Sequence, residues 1–173
     1  MVTIKKVTEK DFEKLLPLLF ELDSRKQTQD EWLNLFRAHW DDNENYFGYV
    51  MYDGKNAVGY LGLLFSERTL NNNLIKFCNV TSWVVKKKYR RQSLHLFYPV
   101  LELDNHTITV LTCNTGTHLI MKKLGFIDLE IGQRIIFPIP ISLKFNSSTK
   151  IIFDLSEIEK KLKGEELKIF NDH

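Results

Sequence analysis

Residues 84–97, VVKKKYRRQSLHLF, join three kinds of sequence in one short stretch. Two valines are typical of the end of a buried strand, five of the six residues 86–91 are basic, and an apolar run begins after Ser93. A helix that starts beside basic side chains offers free backbone N–H groups to an anion. The stretch therefore predicts a phosphate-binding loop, a solvated basic turn, or a patch for a polyanion.

The composition sets limits on these alternatives. A chain of 173 residues indicates one domain, and a net charge of +2 is too small to imply a polyanion partner by itself. Cys78 and Cys113 lie in apolar runs without metal-ligand spacing, so we expect reduced, buried thiols and no metal site. No stretch approaches the roughly 20 apolar residues of a membrane span, and no apolar signal core is present. We expect a soluble, cytoplasmic protein without a membrane partner.

The first half of the chain predicts one strand, two helices and three further strands. Thr8 with Asp11, and Thr28 with Glu31, have the spacing of capping boxes at helix starts. The Asp-Gly pair at 53–54 predicts a hairpin turn. The predicted strands in this half are 3–7, 46–52, 57–67 and 74–85.

The second half predicts a helix over 93–103, made irregular by Pro99, and a fully buried strand over 107–113. A strand, a crossover helix and a strand in this order indicate a parallel pair. A helix follows Asn114 and ends at Gly125. The remaining predicted elements are strands at 126–137 and 150–153 and short helices after Leu155.

Residues 83–97 together with 114–126, NTGTHLIMKKLGF, resemble the core of the GNAT superfamily of acyl-CoA N-acyltransferases. The matching pieces are a strand ending in an apolar residue and Val, a Tyr89-Arg90 turn, a helix start, a buried strand, and a helix running from Asn to Gly-Phe. The resemblance implies an α+β fold with a mixed, mostly antiparallel central sheet flanked by helices. It implies a domain over residues 1–140 and a short C-terminal extension, 141–173, packed on the same domain.

The resemblance also implies a site for acetyl-CoA or another acyl-CoA. In the family the pantetheine arm lies along the strand and the phosphates lie on the helix start. The residues implied here are Trp83, Val84, Val85, Arg90, Arg91, Gln92, Ser93, Leu94, His95 and Asn114. The family's turn has glycine or another small residue where this chain has Ser93 and His95.

Two catalytic positions differ from the family pattern. The family's usual acid is a Tyr seven residues after the helix-opening Asn, and that position is Met121 here. The family's usual base is a Glu at the position of Asn79. Glu67, at the end of the neighbouring strand, is the nearest remaining carboxylate in the sequence, so Glu67 and Asn79 are the catalytic candidates.

The function that the resemblance implies is transfer of an acyl group to a small-molecule primary amine by direct attack in a ternary complex. One alternative is a module of the same fold with little or no catalytic activity that binds a ligand or partner. A second is a nucleic-acid-binding surface from Lys86 to Arg91, which the low net charge and the lack of interleaved exposed aromatic residues disfavour. A homodimer is compatible with each of these.

Overall fold

Five strands form one mixed sheet in the part of the chain that the computed structural model describes, residues 2–22, 27–37, 44–70, 72–129 and 152–171. Neighbouring strands in the sheet are also neighbours in sequence. The first four pair antiparallel, and the fifth lies parallel to the fourth. The expected mixed, mostly antiparallel sheet is confirmed. The strands are β1 Val2–Lys6, β2 Gly48–Asp53, β3 Asn56–Leu70, β4 Asn73–Val85 and β5 His106–Thr109.

Short helices precede and follow the strands. The predicted capping boxes are present: the Thr8 N–H donates to the Asp11 carboxylate at 3.0 Å, and the Thr28 N–H donates to Glu31 at 2.6 Å. Gly125, at φ +91°, follows the end of the helix that begins after Asn114, as predicted. The α-helices are α1 Phe12–Leu22, α2 Gln29–Leu33, α3 Tyr98–Leu101 and α4 Thr115–Lys123; 3₁₀ helices cover Glu9–Asp11, Asn34–Phe36 and Lys87–Leu96.

Two hydrophobic clusters cover the two faces of the sheet. Tyr60 and Val84 pack with α1 and α2, whereas their neighbours Leu61 and Trp83 belong to the cluster around Lys87–Leu96, α3 and α4. Successive residues of a strand point to opposite faces, so the clusters lie on opposite sides of the sheet. The sheet is therefore the middle of three layers.

Tyr60 gives the first cluster a buried polar contact. Its side chain is 1% exposed, and its hydroxyl donates to the Phe47 carbonyl at 2.9 Å. We expect Tyr60→Phe to lower the free energy of unfolding at pH 7 by about 1 kcal/mol, because the buried carbonyl loses one of its two donors and keeps the Leu63 N–H. Urea unfolding measures this loss, and Tyr98→Phe, at a side chain 49% exposed, is the matched control.

The pH dependence of this effect has a definite sign. Burial raises the pKa of Tyr60, so the folded state favours the neutral phenol. The stabilisation that comes from this raised pKa is complete below the pKa of Tyr in the unfolded chain, about 10. It is lost as the pH rises through the pKa of Tyr60 in the folded state. The difference in free energy of unfolding between the wild type and Tyr60→Phe should therefore decrease between pH 9 and 11. A difference that stays constant over that interval would show that Tyr60 ionises as in the unfolded chain.

The predicted helix over 93–103 is replaced by two shorter elements. A 3₁₀ helix, Lys87–Leu96, is followed by a single α-helical turn, α3. Pro99 lies in the first turn of α3, where a missing N–H breaks no helical bond. The irregularity expected at Pro99 is confirmed. The expected start at Ser93 is wrong, because helical structure begins at Lys87.

The strand predicted over 107–113 is shorter and more exposed than expected. Only His106–Thr109 pairs with β4, and Thr107 is exposed. Cys78 is buried as predicted, but Cys113 is exposed, because the chain has left the sheet before reaching it. Residues 126–129 are not strand, and the rest of the predicted strand 126–137 lies outside the described residues.

Contacts along the chain define two compact units, residues 1–128 and 129–173. In the second unit, α5 Leu155–Lys161 is capped by the Asp154 carboxylate, which accepts from the Glu157 N–H at 2.9 Å, and α6 spans Glu165–Asn171. Residues 152 and 153 are not strand, although a strand was predicted over 150–153. The predicted domain boundary at residue 140 lies outside the described residues. No helix in the described ranges is long and apolar enough to cross a bilayer.

Candidate functional site

β4 and β5 separate after four residue pairs. The parallel ladder runs from Lys76–His106 to Asn79–Thr109, and no described residue pairs with this edge of β4 beyond Asn79. A cavity of about 260 Å³ lies in the gap. Residues 80–83 of β4 line one side of it, and residues from 110–114 line the other.

The cavity is contacted from both faces of the sheet. Leu22 and Trp32 reach it from the α1–α2 side, and Phe97 and Met121 reach it from the side of α3 and α4. One cavity contacts side chains of both layers because the sheet is open here. The gap therefore lies in the plane of the sheet, between the two layers of helices.

A β-bulge shapes the β4 side of the cavity. Leu61 lies opposite Trp83 and Leu63 opposite Val80, so β4 carries one residue more than β3 in this interval. Gly62 faces the bulge, and a Cβ atom placed on it would lie 2.5 Å from the Thr81 Oγ1. A glycine is needed at this position because the bulged strand approaches it closely.

The open edge of β4 presents unpaired backbone groups. The Lys86 N–H donates to the Val58 carbonyl at 2.9 Å, which makes this a hydrogen-bonded pair of the antiparallel ladder. Such pairs alternate with pairs that make no ladder bonds, and the register is regular back to Trp83. Val84 is therefore bonded to β3, whereas Trp83 and Val85 direct their N–H and C=O groups toward the gap. An extended ligand with amide groups can pair with such an edge.

The basic segment, Lys87–Leu96, follows this edge directly. Tyr89 anchors it, since its hydroxyl donates to the Asp53 carboxylate at 2.6 Å across the β2–β3 hairpin. The side chains of Arg90, Arg91 and His95 are exposed. The segment thus holds a row of solvated cationic side chains at the end of β4.

The backbone amides of the basic segment differ from the sequence prediction. Gln92, Ser93 and Leu94 are half-buried and lie inside the 3₁₀ helix, where each N–H is directed at the carbonyl three residues earlier. The amides without an internal acceptor in such a helix are those of its first residues, here Lys87 and Lys88. The predicted phosphate contacts from 92–95 stay a prediction.

The two catalytic candidates lie at different ends of the ladder. Glu67 forms an ion pair with Lys76, its cross-strand partner, with 3.3 Å between Oε1 and Nζ. Asn79 forms part of the last β4–β5 pair, and its Oδ1 accepts from the Thr109 hydroxyl at 3.1 Å. Asn79 therefore joins the strands at the base of the gap. Neither side chain lines the cavity, and their catalytic roles stay predictions.

Asn114 opens α4 beside the gap. Its Oδ1 accepts from the Thr117 N–H at 2.9 Å, as expected for an N-cap, and both residues line the cavity. Met121, one turn later, is 3% exposed and lines it too. At the other end, the Phe126 N–H donates to the Met121 carbonyl at 3.1 Å and the Gly125 N–H to the Lys122 carbonyl at 3.2 Å, which is a Schellman motif.

Several cavity residues were not predicted as site residues from the sequence. Leu22, Trp32, Thr117 and the bulge residues Thr81 and Ser82 all line it. The indole Nε1 atoms of Trp32 and of the predicted site residue Trp83 are buried and have no hydrogen-bond partner among the described residues. The approach of α1 and α2 to β4 is a tertiary contact with no local sequence signal. Among the described residues, no cluster of His, Cys, Asp or Glu suits a metal ion.

Solved structures with a similar fold include several acetyltransferases. A glucosamine-6-phosphate N-acetyltransferase from Arabidopsis thaliana superposes with a TM-score of 0.58 at 17% identity, over 79% of this chain and 99% of that one. An aminoglycoside N-acetyltransferase in complex with CoA gives 0.55 at 15% identity, over 79% and 93%. A transcriptional regulator from Bacillus halodurans gives 0.58 at 18% identity, over 79% and 100%.

These similarities establish the fold. No protein-family model and no curated protein sequence matches this chain. The chain has the GNAT fold, as the residues of 83–97 and 114–126 indicated. At identities of 15–18% the likeness does not extend to substrate or activity.

Proposed function

We propose that this chain is an N-acyltransferase that transfers the acyl group of an acyl-CoA to a primary amine in a ternary complex. The observation that carries the proposal is the gap beyond Asn79 and Thr109, where β4 keeps an unpaired edge beside a cavity. Pantetheine is an extended chain with amide groups, so it suits an edge where Trp83 and Val85 direct their N–H and C=O groups away from β3 and no described residue pairs with them. The basic segment follows Val85 and supplies cations for the phosphates.

The proposed reaction needs two reactants held together. The amine nitrogen attacks the thioester carbonyl carbon, an N–C bond forms, and the C–S bond breaks as the thiolate leaves. The nitrogen loses a proton and the thiolate gains one. Holding both reactants in line supplies much of the rate enhancement, and a β4 amide directed at the carbonyl oxygen stabilises the developing negative charge.

Proton transfer in this site depends on hydroxyl groups and water. The described lining residues include no carboxylate and no histidine. They include the side chains of Thr81, Ser82, Thr112 and Thr117, whose hydroxyls both donate and accept. We propose that these hydroxyls hold the water through which the ammonium proton leaves.

Calorimetric titration with CoA and with acetyl-CoA tests the cofactor part of the proposal. We expect saturable binding with a dissociation constant below about 1 mM. Thiol release from acetyl-CoA in the presence of a panel of primary amines tests the reaction. No heat of binding at millimolar CoA would overturn the proposed function.

A ligand-binding module without catalysis is the second candidate. Met121 occupies the cavity where the resemblance places a phenolic acid, and no titrating carboxylate or imidazole accompanies it among the described lining residues. The Bacillus halodurans neighbour, a transcriptional regulator, has a comparable fold. Binding of CoA without thiol release for any amine of the panel would favour this candidate.

The variant Met121→Tyr tests whether the acid is the missing part. A phenol in the cavity can protonate the leaving thiolate, and general acid catalysis contributes about 10²–10⁴-fold. We expect thiol release at pH 8 to rise at least about tenfold, a modest part of that range. Met121→Phe is the matched control, since it adds the ring without the hydroxyl. Equal rates for the two variants would show that this position does not supply a proton.

A further inference from the structure

The cavity has an uncharged lining. None of the described residues that line it carries a charged side chain. A carboxylate, ammonium or phosphate placed there would lose its hydration without gaining a counter-ion, which is strongly unfavourable. The cavity therefore suits a neutral ligand group and opposes a charged one.

Apolar side chains from three helices form one part of the lining. Leu22 comes from α1, Trp32 from α2 and Met121 from α4, and Val80 and Val110 add the two separating strands. An apolar surface of this kind is poorly hydrated, so a ligand that covers it gains affinity with each methylene it buries. The expected gain is about three- to fourfold per buried methylene.

One aromatic ring belongs to this apolar wall. Trp32 is only 5% exposed, packs in the cluster with α1 and lines the cavity. Its Nε1 atom is fully buried, so toward a ligand Trp32 acts as an apolar ring.

We infer that this cavity selects an uncharged acyl group longer than acetyl, and that Trp32 determines the selection. The inference rests on the proposed function, because it takes the acyl end of an acyl-CoA as the ligand. The thioester lies at the bulge of Thr81 and Ser82, and the acyl chain lies against Leu22 and Trp32. Trp32 covers the chain with its ring.

Calorimetric titrations with CoA, acetyl-CoA, butyryl-CoA, hexanoyl-CoA and succinyl-CoA test this. Hexanoyl-CoA should bind at least tenfold more tightly than acetyl-CoA. Butyryl and succinyl groups have the same number of carbons. Succinyl-CoA should nevertheless bind at least tenfold more weakly than butyryl-CoA, because its carboxylate would lie in the uncharged cavity. Equal affinities across the acyl series would overturn the inference and leave the proposed function standing.

Two variants test the apolar wall. Leu22→Trp narrows the cavity and should reduce the advantage of hexanoyl over acetyl to less than threefold, whereas Leu119→Phe, outside the cavity, should leave that advantage unchanged. Trp32→Phe removes part of the apolar ring surface and should lower the ratio of hexanoyl-CoA to acetyl-CoA affinity about threefold. An unchanged ratio in a folded Trp32→Phe variant overturns the assignment of Trp32. If neither CoA nor any acyl-CoA binds the wild type, the proposed function and the inference both fail.

Discussion

A Gly48→Ala substitution should lower the free energy of unfolding by about 4 kcal/mol, a large part of the roughly 5–15 kcal/mol typical of a domain. Gly48 begins β2 at φ +137°, a region that residues with a side chain scarcely populate. A Cβ atom there would lie 2.1 Å from the Leu61 carbonyl oxygen, which belongs to the backbone of β3 and cannot rotate away. The substitution therefore forces β2 and β3 apart.

The neighbouring bonds make this strand separation costly. The Gly48 carbonyl accepts from the Val7 N–H at 2.9 Å, and the Phe47 carbonyl accepts from the Leu63 N–H at 3.1 Å. Gly48 is also the cross-strand partner of Gly62, which faces the bulge of β4. Displacement of β2 is thus transmitted to the cavity wall.

Gly54→Ala is the control for Gly48→Ala. Gly54 also has positive φ, +60°, but nothing lies within 4 Å of a Cβ placed on it. We expect a loss of about 1 kcal/mol, the cost of the left-handed conformation alone. Chemical denaturation measures the free energy of unfolding of both variants. Equal losses in Gly48→Ala and Gly54→Ala would show that the close approach of the Leu61 carbonyl does not require a glycine at position 48.

The second large effect is expected from Thr117→Phe, which should weaken CoA binding at least about 100-fold. Thr117 is half-buried on α4 and lines the cavity, so a phenyl ring at this position occupies the gap between β4 and the 110–114 segment. The helix itself should be retained, because the bond from Thr117 to Asn114 uses the backbone N–H. Calorimetric titration with CoA measures the loss.

Leu119→Phe is the matched control on the same helix. Leu119 is 58% exposed and does not line the cavity, so the same ring there should leave CoA affinity within twofold of the wild type. Circular dichroism and thermal unfolding establish that both variants are folded. Wild-type affinity in a folded Thr117→Phe variant would place CoA outside the gap.

Local features of the structure were predictable from the sequence. The caps at Thr8 and Thr28, and the Gly125 helix end, depend on residues within four or five positions, and all are present. The parallel β4–β5 pair follows from chain order and connection handedness. The basic segment was correctly placed between a strand and helical structure, which fixed its position relative to the sheet.

The errors concern interactions between distant residues. β-branched residues in 107–113 indicate an extended chain, but they do not indicate where pairing with β4 stops. That point is set by tertiary packing, and it decides both the exposure of Cys113 and the existence of the cavity. The start of the basic segment at Lys87 is another such case. Tyr89 in this segment donates to Asp53, which lies 36 residues away in sequence.

Two predicted site residues line the cavity: Trp83 on β4 and Asn114 at the start of α4. Trp83 was expected from the resemblance and lines the cavity, whereas Trp32 carries only the pattern of a buried helix face. Its contact with the cavity depends on how α2 crosses the sheet. The same holds for Leu22 at the end of α1.

Amide hydrogen exchange of β4, followed by NMR with and without CoA, tests the central claim most directly. Trp83 and Val85 direct their N–H groups toward the gap, whereas the Val84 N–H is already bonded to β3 and serves as the internal reference. If CoA lies along this edge, exchange at Trp83 and Val85 should slow at least tenfold on saturation while Val84 changes little. Unchanged exchange at both residues in CoA-saturated protein would contradict the account.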